Sequence, residues 1–398
     1  MESNQALNVQ PALTTQRIAA LDTARGIAVL GILLINMYSF ALPEVVRANP
    51  FLMVGASGVD RALWYVLHIF ADTKFITMLS VVFGASLWLF AEHKAGSERQ
   101  LVDQLQYRRL MWLLVFGLLH SYLLWDGDVL FTYAVCGWVV WHLRRYDTVL
   151  LLKISAGLFA IGALPNVVMA AFFPEVMNEL MAYQTADEIA AEVAHYQQGW
   201  GAVALERIGT AVGLQLGVLV TGWSTIALML VGIVLARCGL LTLQVSADHY
   251  RRLIALTGVP GLLLIAIGLY KSIHYGFAAG YVYTYGYELH FWGSSLLGVA
   301  YVLMAMLWCR AAGGSFFARV LAAVGRMSLS VYIMQSLICT LLFYGYGLGW
   351  YGQLSLSQVV LVTLLIWSFQ CMFACWWLAR FRYGPLEWWW HRLVYQVQ

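Results

Sequence analysis

Long apolar runs separated by short polar ones dominate the chain. Runs near the roughly 20 residues that a bilayer requires fall at 26–42, 74–92, 109–125, 128–143, 148–173, 208–236, 252–273, 289–309, 319–344 and 357–379. This pattern predicts an all-α, polytopic integral membrane bundle of about ten transmembrane helices. The third and fourth runs are short and almost continuous, so they read as a hairpin. Between the runs, residues 43–73 mix apolar and polar positions, including Asp60, Trp64, Tyr65 and His68. That mixture suits a short interfacial or re-entrant helix. Residues 174–207 form the longest polar segment. Its stretch 187–195 reads as an amphipathic helix started by Gln184-Thr185-Ala186-Asp187, placed to cap an outer mouth. The tail 382–398 carries a tryptophan and arginine cluster, which reads as an interfacial anchor.

Composition narrows the class. Of 398 residues, 62% are hydrophobic and 11% charged, and no soluble globular domain has that balance. The expected organisation is one membrane domain over 1–398. Residues 17–344 form the bundle with its outer loop 174–207, and 345–398 hold the last span and the tryptophan-rich tail. The net charge of +3 is small and spread along the chain, so nucleic acid is not an expected partner. The six cysteines form no Cys-x-x-Cys pair and read as packing residues. Residues 1–16 are polar without a signal-peptide pattern, so the first run is expected to stay as a span.

Loop charge sets a direction. With the N-terminus cytoplasmic, only Arg47, Arg61, Lys74, Arg207 and Lys271 of the 23 Lys and Arg fall outside. The acids Glu175, Glu179, Asp187, Glu188, Glu192 and Glu206 crowd one outer loop. The positive-inside bias therefore places both termini in the cytoplasm.

Function must be sought in polar residues kept inside the spans, where each is costly. The third run carries His120 near its end and breaks at Asp126-Gly127-Asp128 before the fourth begins. A histidine oriented by a carboxylate is a general base for a hydroxyl or amine. The structural alternative is an interfacial histidine beside helix-capping aspartates, with Asp126 the more cap-like. Asp22 and Arg25 share a helix face and read as an ion pair at the start of span one. Asn36 lies deeper on roughly the same face and needs partners. Lys74 is either paired with Asp72, Asp126 or Asp128, or snorkelling into headgroups. Arg25, Arg108, Arg109 and Arg326 suit phosphate binding, though each is also an ordinary positive-inside residue. Tyr332, Gln335 and Ser336 form a polar stripe, either a cavity wall or a helix–helix contact. No His-x-x-x-His or Glu-x-x-His pair appears, so no metal is expected from local spacing.

Several ordered stretches resemble one family. They are Leu21-Asp22-x-x-Arg25-Gly26 with Asn36, Lys74-Phe75 leading to Phe83-Gly84, and Gly117-Leu118-Leu119-His120 with Trp125-x-Gly127-Asp128. Further on come Gly325-Arg326-Met327-Ser328 with Tyr332, Gln335 and Ser336, and Gly384-Pro385-Leu386-Glu387-Trp388. Together they look like the YeiB-like bacterial membrane proteins, a domain family of unknown function. That family resembles the transmembrane acyltransferase superfamily, which includes the heparan-α-glucosaminide acetyltransferase.

The resemblance implies that acyl-CoA, as acetyl-CoA, enters from the cytoplasm and that an acceptor is modified near the opposite face. His120 and Asp128 would then be base and orienter, and Lys74 or Asn36 the oxyanion donor. Arg25, Arg108, Arg109, Arg326 and Gln335 would bind the acyl-CoA. In the heparan enzyme the catalytic histidine follows the first family span, and the corresponding loop here offers His68 instead. Expected partners are the lipid bilayer, acyl-CoA and a sugar, lipid or small-molecule acceptor, with a homodimer as a further candidate. Two other readings stand beside this one: a proton-coupled transporter or flippase using Asp22, Asp128 and His120 as a relay, and a non-catalytic scaffold.

Overall fold

The computed structural model describes residues 10–53, 55–94, 99–172 and 182–395. Glu175 and Glu179 of the expected acidic loop lie outside them, as does the Arg17 side chain. Among the described residues every regular element is a helix. In chain order the longer ones are α1 Gln10–Ala41, α2 Gly58–Phe70, α3 Lys74–His93, α4 Arg99–Leu123, α5 Leu130–Leu143, α6 Thr148–Phe172, α7 Ala186–Tyr196 and α8 Trp200–Arg237. Then follow α9 Ala247–His274, α10 Tyr287–Ala312, α11 Phe316–Arg326, α12 Ser328–Phe343, α13 Leu356–Leu378 and α14 Pro385–Tyr395. A π-helical stretch, Val282–Gly286, leads directly into α10. Seven helical stretches are long and apolar enough to cross a membrane, or eight if α11 and α12 count as one broken span. The chain is a polytopic membrane protein.

Helix boundaries follow local chemistry. Ser57 and Asp60 form a reciprocal capping box that starts α2, Thr185 and Glu188 do so for α7, and Ser355 and Gln358 for α13. The amphipathic stretch expected near 187–195 is α7. The mixed segment before residue 73 contains α2, one face of which packs on the bundle. Its Trp64 is buried and donates from Nε1 to the Val46 carbonyl at 3.0 Å. Asp60 accepts from the Ser357 amide at 2.8 Å, tying α2 to the start of α13.

Within a bilayer, helices associate by close packing rather than by escape from water. The central crossing of α1 on α11 shows this. A Cβ on Gly26 would stand 2.0 Å from the Leu321 carbonyl oxygen, and one on Gly325 would stand 1.8 Å from that of Asp22. The two backbones therefore touch, and only glycine fits on either side. Arg25 and Arg326, each adjacent to one of these glycines, are drawn to the same end of the bundle.

The expected single span over 319–344 is two helices bent by 81° at Met327. The cause lies in the tail. Glu387 of α14 accepts from the amides of Leu329 at 2.8 Å and Ser330 at 3.0 Å. Those amides would otherwise bond back into the preceding turn, so the carboxylate acts as a helix cap supplied from a distance. The tail is thus built into the bundle. Trp390 also donates to the Arg109 carbonyl at 3.2 Å.

Candidate functional site

His120 sits in the last turn of α4, whose end is followed by the turn carrying Asp128. The amides of Leu124 and Trp125 both bond to the His120 carbonyl, which stops the helix there. The chain then folds back so that Asp128 faces His120. Nδ1 of His120 lies 2.8 Å from Oδ1 of Asp128, and both side chains are almost wholly buried. The second carboxylate oxygen accepts from the Phe131 amide at 2.7 Å and so caps α5. Asp128, not Asp126, is the capping residue of this turn. On the other side of the ring, Nε2 lies 2.8 Å from Oγ of Ser336 on α12. The network assigns the proton: a carboxylate only accepts, so Nδ1 carries hydrogen and Nε2 accepts from the serine hydroxyl. Asp128, His120 and Ser336 form a continuous buried relay of the kind that moves protons to and from a hydroxyl.

A cavity of about 350 Å³ leads towards this relay. Arg25, Arg109 and Arg326 line it, with Leu79, Phe83 and Leu113 forming an apolar shaft. Val129, Tyr133 and Tyr332 also line it, and Val129 directly follows Asp128. The Tyr332 ring centre is 5.0 Å from that of His120, and its hydroxyl accepts from the Val129 amide at 3.2 Å. Tyr332 therefore separates cavity from relay by one ring. The tail forms another part of the wall through Tyr383, Glu387, Trp390 and His391. Burial pushes the Glu387 carboxyl above its ordinary range, and the hydrogen bonds from Ser330 and Leu329 only partly oppose this.

The arginines differ in how they are held. Arg25 donates to Asp22 at 2.8 Å and to Ser86 at 2.9 Å. Arg109 stacks between Phe90 and Trp390, 4.2 and 5.0 Å from the ring centres. Arg326 is exposed at the mouth. Arg108 does not join them. It is exposed and lines a separate groove with Tyr107 and Trp138. One residue along a helix turns a side chain by about 100°, so neighbours cannot share a narrow cavity.

Gln335 is likewise not in the cavity wall. It donates to the Val29 carbonyl and to Gln370, both at 3.2 Å, and ties α12 to α1 and α13. Asn36 is half-buried and makes no side-chain hydrogen bond among the described residues.

Lys74 belongs to a second buried polar cluster. It is fully buried, so it does not snorkel, and none of its expected carboxylate partners lies within ion-pair distance. Its Nζ donates to the His68 carbonyl at 2.7 Å instead. Asp72 pairs with Arg47 at 2.6 Å. The rings of His68 and His290 lie beside them, with centres 4.1 Å apart and planes tilted by 35°. Side-chain atoms of His68, Asp72 and His290 converge within 4.8 Å of one another. Neither Lys74 nor Asn36 touches the His120 relay, so the oxyanion role expected for them has no geometric basis. Ser336 and Tyr332, only part of a polar stripe in the sequence, are the residues brought to His120.

A larger groove of about 880 Å³ lies between α6, α9 and α10. Tyr275, Tyr281 and Tyr285 line it with Glu288, whose carboxylate is engaged by Asn166 and Trp292. Lys271 also lines it, and no histidine or arginine is among its described lining residues.

Comparison with known proteins adds similarities. Residues 235–397 match the family described as "Protein of unknown function (DUF418)". The chain is 29% identical over 394 residues to the uncharacterized protein YeiB of Escherichia coli strain K12, covering 95% of this chain and 96% of that protein. That similarity runs over nearly the whole length of this chain. The chain is also 29% identical over 403 residues to the uncharacterized protein YxaH of Bacillus subtilis strain 168, covering 98% of this chain and 96% of that one. A third relative, a 39.9 kDa protein of Bacillus acidopullulyticus, is 23% identical over 394 residues. No solved structure matches the chain. The DUF418 match runs across α12, α13 and α14, so it takes in the broken span and the tail that caps it.

Proposed function

We propose that this YeiB-like chain is an acyltransferase of the bacterial inner membrane. It takes an acyl group, as acetyl, from acyl-CoA on the cytoplasmic side and passes it to a hydroxyl or amine acceptor. The observation that carries the reading is the cavity, which is lined by three arginines and an apolar shaft and comes within one tyrosine ring of a Ser–His–Asp relay. Arginines suit phosphates, and an apolar shaft suits an acylated pantetheine arm.

In this reading Arg25, Arg109 and Arg326 hold the phosphates at the mouth. The thioester carbonyl reaches Tyr332, whose hydroxyl supports the developing oxyanion. Nε2 of His120 takes the proton of the acceptor as its oxygen or nitrogen bonds to the carbonyl carbon. The C–S bond then breaks, and the proton passes to the departing CoA thiolate. Asp128 holds the ring tautomer and stabilises the imidazolium. In this reading the acceptor hydroxyl takes the place of the Ser336 hydroxyl at Nε2.

The test is transfer of labelled acetyl from acetyl-CoA by purified protein in lipid nanodiscs, with His120→Gln as control. Binding of acetyl-CoA that is weakened by arginine substitution supports the reading. Absence of both binding and transfer refutes it. Proton-gradient-dependent solute uptake into proteoliposomes without any acyl transfer would replace it by transport.

A further inference from the structure

The second polar cluster is outside the proposed acyl-transfer path. His68 comes from α2, Asp72 from the turn before α3, and His290 from the first turns of α10. They are distant in sequence yet converge within 4.8 Å. Oδ2 of Asp72 stands 3.7 Å from Nε2 of His290. Two ligands each about 2.0–2.2 Å from a shared ion can span roughly 4 Å, so this separation fits a common ion and is too long for a hydrogen bond.

His290 is buried, and both of its ring nitrogens lack a hydrogen-bond partner. A buried polar ring without partners is costly. The cost is removed if one nitrogen binds a ligand.

The surroundings hold the three groups in place. Arg47 takes the other oxygen of Asp72 at 2.6 Å, leaving Oδ2 turned to the histidines. Such outer-shell contacts orient carboxylate ligands. Trp64 stacks on His68, with ring centres 4.7 Å apart and planes 11° apart. Thr73, between Asp72 and Lys74, has a φ of 68°, a left-handed conformation that is strained for a branched residue. The π-helical stretch Val282–Gly286, which leads into α10, is also of a kind found at functional sites.

We infer that His68, Asp72 and His290 bind a divalent first-row transition metal, zinc or iron(II), through two imidazoles and one carboxylate. This donor set leaves positions open for a small ligand and suits both metals. An anion is the less favoured occupant, because the converging atoms include the free carboxylate oxygen of Asp72. Arg47 and Lys74 make the surroundings positive, which weakens the site without altering its donors. Removing the Lys74 charge should therefore tighten metal binding.

The experiment uses full-length protein purified without a histidine tag and supplied with Zn²⁺ or, anaerobically, Fe²⁺. Metal content is read by mass spectrometry after removal of free ion. About one equivalent per chain is expected, with loss in His68→Ala, Asp72→Asn and His290→Ala and several-fold tighter binding in Lys74→Met. If those variants fail to fold, Co²⁺ added to the unaltered protein decides through its visible absorption. Bands of a nitrogen and oxygen site support the inference. No retained metal and no Co²⁺ spectrum, or retention undiminished in three folded variants, overturns it. Each readout is independent of acyl transfer.

Discussion

Gly117 lies against the Asp128 carboxylate. A Cβ built on Gly117 would stand 2.9 Å from Oδ2 of Asp128 and 2.4 Å from the Phe131 amide nitrogen. The absence of a side chain there lets α4 and the start of α5 close around His120. Gly117→Ala should push Asp128 away from the ring and lower acyl transfer by about 10-fold or more, a 1 Å displacement being enough for large losses. Acetyl transfer, with thermal unfolding beside it, separates this effect from global instability.

His120→Gln should reduce kcat for acyl transfer by about 10²–10⁴-fold, the usual contribution of a general base. Asp128→Asn should also be severe, because an amide can present N–H to Nδ1 and favour the wrong tautomer. Ser336→Ala should cost far less if transfer is direct. Trapping an acyl group on Ser336, with activity abolished in Ser336→Ala, would show instead that this hydroxyl carries the group between donor and acceptor.

Substituting Arg25, Arg109 or Arg326 by glutamine should raise KM for acyl-CoA by about 10-fold each, corresponding to roughly 1.4 kcal/mol. The effect on kcat should be smaller, since the phosphates are remote from the bond that breaks. Arg108→Gln, whose side chain lies in another groove, should leave KM unchanged. Steady-state kinetics on the four variants checks this.

Glu387→Ala should lower stability by about 1–2 kcal/mol through loss of the cap on α12. The pH dependence has a definite sign. The folded protein holds the Glu387 carboxyl above its ordinary value of 4.5, so it binds the proton more tightly than the unfolded chain. This group's contribution is fully present below pH 4.5 and is lost as pH rises through the raised value, levelling above it. Glu387→Gln, which cannot ionise, should flatten that part of the curve. Unfolding of detergent-solubilised protein between pH 4 and 8 measures the difference.

What could be read from sequence was what depends on neighbours along the chain. Apolar run length marked the helices, and the spacing of His120 from Asp128 marked a turn that could join them. Arg25-Gly26 and Gly325-Arg326 stood out as motifs, but the backbone contact that unites them needs both helices in place. Met327 gave no sign of an 81° bend, because the cap comes from Glu387, 58 residues beyond Leu329. Arg108 and Arg109 were equivalent on paper and diverge only once the helix has a facing. His68 and His290 belong to separate elements, so no local ligand spacing could join them. Gln335 and Ser336 were adjacent polar residues of one stripe. The fold turns the first into a tie between helices and the second towards His120.

The tail that caps α12 and lines the cavity has a consequence for biosynthesis. Trp390 and Glu387 are made after every membrane-spanning helix of the described chain. Until α14 leaves the ribosome, the cavity lacks one wall and α12 lacks its cap. A nascent chain can insert all its spans and still lack that wall and that cap. Completion of the cavity wall is thereby tied to the emergence of α14.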